Sequence, residues 1–186
     1  KRHGMMICVE HRKQFIDATI IKKILEWSKQ AYPYRVVYNG RRAGATIPDH
    51  LHIQLVRDLE PLPIESSPLE EIANNPKNRD RIKKGDPQVF VINNFPSSDK
   101  PVTVFLVEGA NEDTVVKDTE RIVSVLANKK IDVNVISTYK EDSWKVFIIS
   151  RPYEAISNKN DKKGRNPKTG GERKKTEVEV ALDNLL

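Results

Sequence analysis

Apolar residues return along this chain in two rhythms, one helical and one alternating. Met5–Val9 is an unbroken apolar run and predicts a buried strand. From Asp17 to Ala31, Ile20, Ile21, Ile24, Leu25 and Trp27 fall near helical spacing with Lys22, Lys23 and Lys29 outside, and Pro33 closes the segment. Arg35–Tyr38 reads as a short strand around Val36 and Val37, and residues 39–49 read as a loop holding Gly40, Gly44 and Pro48. His50–Val56 alternates polar and apolar, the mark of a half-buried strand. Prolines at 61, 63, 68, 76 and 87 make 58–87 an irregular connector, with a short helix at Leu69–Ala73. Strands follow at Gln88–Asn93 and Val102–Glu108. A helix over Asp113–Asn128 carries an apolar stripe of Val115, Val116, Ile122, Val123, Val125 and Leu126. Val133–Thr138 and Trp144–Ser150 form a last strand pair around a polar turn.

Strands joined by short links and interspersed helices predict an α+β fold, a mainly antiparallel sheet with flanking helices. The two halves share a loose strand-helix-strand-strand order, although no repeat is visible in the residues themselves. The expected organisation is an active-site half over 1–57, the connector 58–87, a second half over 88–152 packed on the first, and a C-terminal segment 153–186.

Composition and charge narrow the picture. With 186 residues, 38% of them hydrophobic, the chain can bury a core. No apolar run approaches the ~20 residues of a membrane span, and Glu10 breaks the opening run too early for a signal peptide. The chain starts at Lys1 and enters strand-like sequence almost at once, so the expectation is that N-terminal strands are missing. Cys8 is the lone cysteine: it cannot form an internal disulfide or a cysteine-built zinc site, it suits a reducing, cytoplasmic setting, and it reads as a small buried hydrophobe. The net charge of +6 suits an anionic partner. Residues 159–175 carry eight Lys and Arg against Asp161 and Glu172, which matches the whole excess. This Lys-, Gly- and Asn-rich stretch predicts an extended arm, and Glu177–Leu186 regains apolar alternation.

One segment carries chemistry. On a strand, His50, His52 and Gln54 share a face while Leu51, Ile53 and Leu55 anchor the other. Ahead of them, residues 39–46 supply Asn39, small residues and the guanidiniums of Arg41 and Arg42. Glycine lets backbone approach an anion closely, and Arg forks match phosphate oxygens. Neutral imidazole is a nucleophile near pH 7, its unperturbed pKa being about 6.5. Attack on an α-phosphate would give a nucleotidyl-imidazole and split one displacement into two. The nucleophile's other ring nitrogen needs a partner, either a backbone carbonyl or His50. The plainer readings are that a His-X-His in a strand is structural and that Arg41 and Arg42 are solvated loop charges. A divalent metal on the two histidines is a further use of them, but only His3 and His11 remain as imidazoles and no Asp or Glu is suitably spaced.

At these residues the sequence resembles the transferase branch of the histidine-triad superfamily, which includes galactose-1-phosphate uridylyltransferases, diadenosine tetraphosphate phosphorylases and GDP-L-galactose phosphorylases. The similarity runs through Asn39, Gly44-Ala45-Thr46-Ile47, and His50-Leu51-His52-Ile53-Gln54. It continues to the strand ending in Glu10-His11 and to Trp144–Pro152, a late strand leading to a basic residue. The resemblance implies a nucleotidyltransferase or phosphorylase acting on a nucleotide sugar or dinucleotide, with phosphate as acceptor. It implies His52 as nucleophile, Gln54 placing the phosphate and His50 in support. Asn39, Gly44, Ala45 and Thr46 would contact phosphate or ribose, and Gln54 in the third-histidine position favours a phosphate or sugar-phosphate acceptor over water. Members of this branch often pair, so a homodimer is expected. Two readings from another class stand beside it. One is a nucleic-acid-binding module using the arm, since Gly164–Gly170 is similar to the arm tip of the HU family. The other is a non-catalytic nucleotide sensor.

Overall fold

The computed structural model describes residues 2–57, 62, 64–65, 79–95 and 102–151. The C-terminal segment 153–186, with the basic arm and its HU-like tip, lies outside the described residues, as do the short helix expected at Leu69–Ala73 and Pro152. Eight strands form one antiparallel sheet. They are β1 (Arg2–Ile7), β2 (Arg35–Asn39), β3 (His52–Arg57), β4 (Arg79–Lys83), β5 (Gln88–Phe95), β6 (Val102–Gly109), β7 (Asp132–Lys140) and β8 (Ser143–Arg151). Helices α1 (Ala18–Gln30) and α2 (Glu112–Asn128) complete the fold. The order across the sheet is β1-β3-β2-β7-β8-β6-β5-β4.

Within that order lies a duplicated arrangement. The unit β1-α1-β2-β3 contributes the strands β1-β3-β2, and β6-α2-β7-β8 contributes β7-β8-β6 in mirrored sequence. They meet at β2 and β7, where Tyr38 faces Val135 and the pairs Val37–Ile136 and Asn39–Asn134 lie on either side. Each of these two units runs strand-helix-strand-strand along the chain. The halves join edge to edge in a single sheet, where the sequence suggested one packed on the other.

Both helices have starts that the sequence supplies. Asp17 caps α1 by accepting from the Ile20 N–H at 2.9 Å, and Asn111 caps α2 by accepting from Thr114 N–H at 3.1 Å. They cover one face of the sheet. Ile20, Ile21, Ile24 and Leu25 of α1 and Val115, Ile122 and Leu126 of α2 pack with Val36, Tyr38, Ile53, Phe105, Val107, Val135 and Ile148. Burial of this kind stabilises by roughly 25 cal/mol per Å² of apolar surface removed from water. The indole N–H of Trp144 donates to the Leu25 carbonyl at 3.0 Å, tying β8 to α1. On the opposite face, Ile64, Phe90, Ile92, Val104, Leu106, Phe147 and Ile149 form a second apolar cluster under β5, β6 and β8. Arg35 pairs with Glu65 at 2.5 Å, beside Ile64, which packs into this cluster.

Several boundaries differ from the sequence expectation. β1 is an edge strand, so Met5 and Ile7 remain exposed where a buried strand was expected. The ladder stops at Ile7, and Val9 is fully exposed. β3 begins at His52, two residues late, which removes His50 from its face. β4 falls inside the expected connector. Its sequence, Arg-Asp-Arg-Ile-Lys, has no apolar alternation, and among the described residues it pairs only with β5, where a charged strand suits a sheet edge. The β7–β8 turn is tighter than the polar turn expected over Tyr139–Ser143: Glu141 and Asp142 both take positive φ, matching a two-residue hairpin whose twist fits the strands.

Tyr38 sits at the centre of the junction and is buried. Burial first, then the carboxylates of Asp132 and Asp17, push its hydroxyl well above its ordinary range. A pKa raised in the folded state contributes stability that is whole below the unfolded value of about 10 and is lost as pH rises beyond it. Tyr38→Phe should therefore gain on the native protein between about pH 8 and pH 11 in paired denaturant titrations. Parallel declines of the two proteins would contradict this.

Candidate functional site

The site grows from a split in the sheet. β2 and β3 pair from Arg35–Val56 to Val37–Gln54 and no further. Beyond that point β2 stays with β7, through the Asn39–Asn134 pair and a 2.9 Å bond from Gly40 N–H to the Val133 carbonyl. β3 stays with β1: His52 lies opposite Ile7, and Cys8 N–H donates to the Leu51 carbonyl at 2.9 Å. The segment between β1 and α1 fills the split. Leu51 N–H donates to the Arg12 carbonyl at 2.6 Å. The Gln14 side chain, 4% exposed, takes the place of missing ladder bonds. Its amide nitrogen donates to the carbonyls of Asn39 at 2.8 Å and His52 at 3.0 Å, and its oxygen accepts from His52 N–H at 2.9 Å.

His52 is 2% exposed and lies on the sheet face away from the helices, while its neighbours Leu51 and Ile53 enter the helix-side core. Its Nδ1 is 2.9 Å from the His50 carbonyl oxygen. A carbonyl can only accept, so the neutral ring carries its proton on Nδ1 and leaves the lone pair on Nε2. Nε2 is buried and makes no hydrogen bond among the described residues. An unsatisfied buried polar atom costs about 1–3 kcal/mol and calls for an explanation.

His50 does not join it. The His50 ring turns toward the end of β1, where Nε2–H donates to the Cys8 carbonyl at 2.7 Å, and it stacks at a tilt on His11 with centroids 5.2 Å apart. What His50 gives His52 is its main-chain oxygen. Gln54 shares the His52 face, is half-buried, and its amide has no hydrogen bond to a described residue. Among the described residues no group of three His, Cys, Asp or Glu could hold a metal ion, and no helix is long and apolar enough to cross a membrane.

Asn39 is drawn into a relay that the sequence did not reveal. Asn134 on β7 donates its amide to the Asn39 side-chain oxygen and to the Ala43 carbonyl, the latter at 2.8 Å. Arg151, at the end of β8, donates from Nε to the Asn134 oxygen at 2.9 Å. Arg151 lies opposite Asp132 in the ladder yet engages the neutral amide. The relay therefore runs from β8 to the 40–46 loop on the face that carries His52. Gln14 and Asn134 carried no local signal. Each is a polar residue whose partners lie on strands distant in sequence, so only the folded register defines its role.

The loop itself is only partly as expected. Arg41 pairs with Asp49 at 2.7 Å, both exposed, and Arg42 donates its backbone N–H to Asp132 at 2.6 Å. These contacts shape the loop. Exposed pairs of this kind contribute at most ~1 kcal/mol. Gly44 and Thr46 are exposed and Ala45 is half-buried, its N–H 3.3 Å from the Gly40 carbonyl. Gly44 adopts φ of 91° with open space around it. Gly40 is required for a different reason: a Cβ there would lie 2.6 Å from the Val133 carbonyl oxygen. Gly40→Ala should push β2 from β7 and cost ~1–3 kcal/mol. Gly44→Ala, which meets only backbone strain, should cost ~1–2 kcal/mol. Chemical denaturation of both variants checks the difference, and a neutral Gly40→Ala would contradict the close approach.

Residues 1–57, the part of the chain that carries His52, match the family model described as a domain of unknown function, DUF4922. No curated protein matches the chain. A crystal structure of a DUF4931 family protein from Bacillus cereus ATCC 10987 is similar over 98% of this chain and 87% of that one, at 12% identity and a TM-score of 0.57. At that identity the likeness establishes the fold: α+β, an antiparallel sheet flanked by helices, with a DUF4922 match at its N-terminal end.

Proposed function

We propose that this chain is a nucleotidyltransferase or phosphorylase of the histidine-triad transferase type, working through a nucleotidyl-His52 intermediate. The observation that carries the reading is the orientation of one ring. The His50 carbonyl fixes the Nδ1 proton, and the Nε2 lone pair is left buried without a partner on the face shared with Gln54 and Asn39. A histidine that served only to fill space would lose stability by keeping that nitrogen unpaired.

In the first half-reaction His52 Nε2 attacks the α-phosphorus of a nucleoside diphosphate sugar or dinucleoside polyphosphate. The Nε2–P bond forms and the bond from phosphorus to the bridging oxygen breaks, so the sugar phosphate or nucleotide leaves as an anion and needs no proton. The ring becomes cationic, and the His50 carbonyl oxygen on Nδ1–H supports that charge. The Gln54 amide, on the same strand face, would donate to a phosphoryl oxygen. In the second half-reaction an oxygen of inorganic phosphate attacks, the Nε2–P bond breaks, and the nucleoside diphosphate departs with the neutral imidazole restored. Nε2 is closed to solvent in this conformation, so the reading requires an incoming phosphoryl group to displace what covers it.

The test is the mass of the intact protein after incubation with GDP-sugars, UDP-sugars and diadenosine tetraphosphate. The expected result is a nucleoside monophosphate adduct that phosphate discharges and that His52→Ala lacks. Binding of nucleotide without an adduct would identify a sensor and end the catalytic reading. An adduct retained in His52→Ala would move the nucleophile elsewhere.

A further inference from the structure

We infer that Gln14 is a positioning residue that holds the His52 and Asn39 strands apart, where the phosphoryl group would have to enter, an inference that rests on the reaction proposed above. Continuing the β2–β3 ladder by two residues from Val37–Gln54 would place Asn39 directly opposite His52. In a closed antiparallel pair their Cβ atoms would then lie ~4.5–5.5 Å apart on one face. That leaves no room for a tetrahedral phosphoryl group with a nitrogen on one side and an amide on the other. The strands do not close because the Gln14 amide stands between them. It presents a carbonyl to His52 N–H and an N–H to the Asn39 and His52 carbonyls, as a peptide group of an inserted strand would. The insertion widens the gap by at most one strand spacing, ~4.8 Å.

The same three bonds fix the His52 backbone. That matters because the His52 ring is oriented by its bond to the carbonyl of His50, two residues away. If the backbone at His52 relaxed toward Asn39, the ring would lose that acceptor and the gap would narrow together. Shape alone does not demand this device. A methionine has nearly the same volume and would fill the split, but it would leave His52 N–H and the two carbonyls without partners. Glu would keep the acceptor for His52 N–H and oppose both carbonyls with its second oxygen.

The experiment compares native protein with Gln14→Met and Gln14→Glu, using whichever donor labels the native chain. Two quantities are read at a temperature where all three are folded. One is the rate of adduct formation at saturating donor. The other is the tautomer of His52, from long-range ¹H–¹⁵N correlations of the imidazole, with His52→Ala assigning the signals. A displacement of about 1 Å in a reacting group can cost ~10²-fold in rate. Gln14→Met should therefore slow labelling on the order of 100-fold and mix the His52 tautomers, with Gln14→Glu similarly impaired. A merely structural glutamine would lower the melting temperature and leave rate and tautomer as in the native chain, which would overturn the inference. Should native protein form no adduct with any donor, the functional reading itself fails, and this inference with it. Native labelling that the variants match would fault Gln14 alone.

Discussion

Everything in this molecule hangs on the seam between β2 and β7. Four residue pairs, from Val36–Ser137 to Asn39–Asn134, are the only ladder that joins the first strand-helix-strand-strand unit to the second. On the helix side the seam is sealed by Tyr38 and Val135. Below it, Ser28 of α1 and Ser137 of β7 share a buried hydroxyl pair at 2.8 Å. On the opposite side the seam carries Asn39 and Asn134, and these two amides begin the polar site. The same few residues close the core and open the site. A change at the seam should therefore be felt in both.

The two units differ on the sheet face away from the helices. On the sheet face away from the helices β3 carries His52 and Gln54, and β8 carries Phe147 and Ile149 on that same face. In the second unit that face is filled by Phe147 and Ile149 within an apolar cluster that also includes Leu106. In the first it bears imidazole and amide. The connections differ in step. β7 and β8 are joined by the two-residue turn Glu141-Asp142, which keeps them paired along their full length. The long loop after Asn39 lets β3 part from β2. That parting makes the place where His52, Asn39 and Gln14 meet.

Much of this was legible in the residues. Periodicity located both helices because burial on one sheet face demands a stripe, although the caps Asp17 and Asn111 were not singled out. The alternation Leu51-His52-Ile53-Gln54 correctly sends the apolar pair to the core. What escaped was whatever depends on register between distant strands. Asn134 reads as one polar residue in an apolar strand, and Gln14 as a residue in a polar linker. Alternation carried His50 onto the face of His52, because a pattern in sequence cannot tell that the strand starts two residues later. The burial of β1 was overestimated for a related reason: an apolar run looks the same at a sheet edge as in its middle.

The contrast between the two histidines bears on what the site was built to do. His50 is satisfied: its Nε2 proton rests on the Cys8 carbonyl and its ring on His11. It closes the end of β1 and asks for nothing more. His52 is surrounded by more order, with its N–H and its carbonyl both held by Gln14 and its Nδ1 held by His50, and yet its second nitrogen has no partner among the described residues. Stability alone would favour the reverse, since a buried unpaired nitrogen costs about 1–3 kcal/mol out of a total that rarely exceeds ~15. Three fixed contacts around a free lone pair are the preorganisation that the proposed attack on phosphorus would need of its nucleophile.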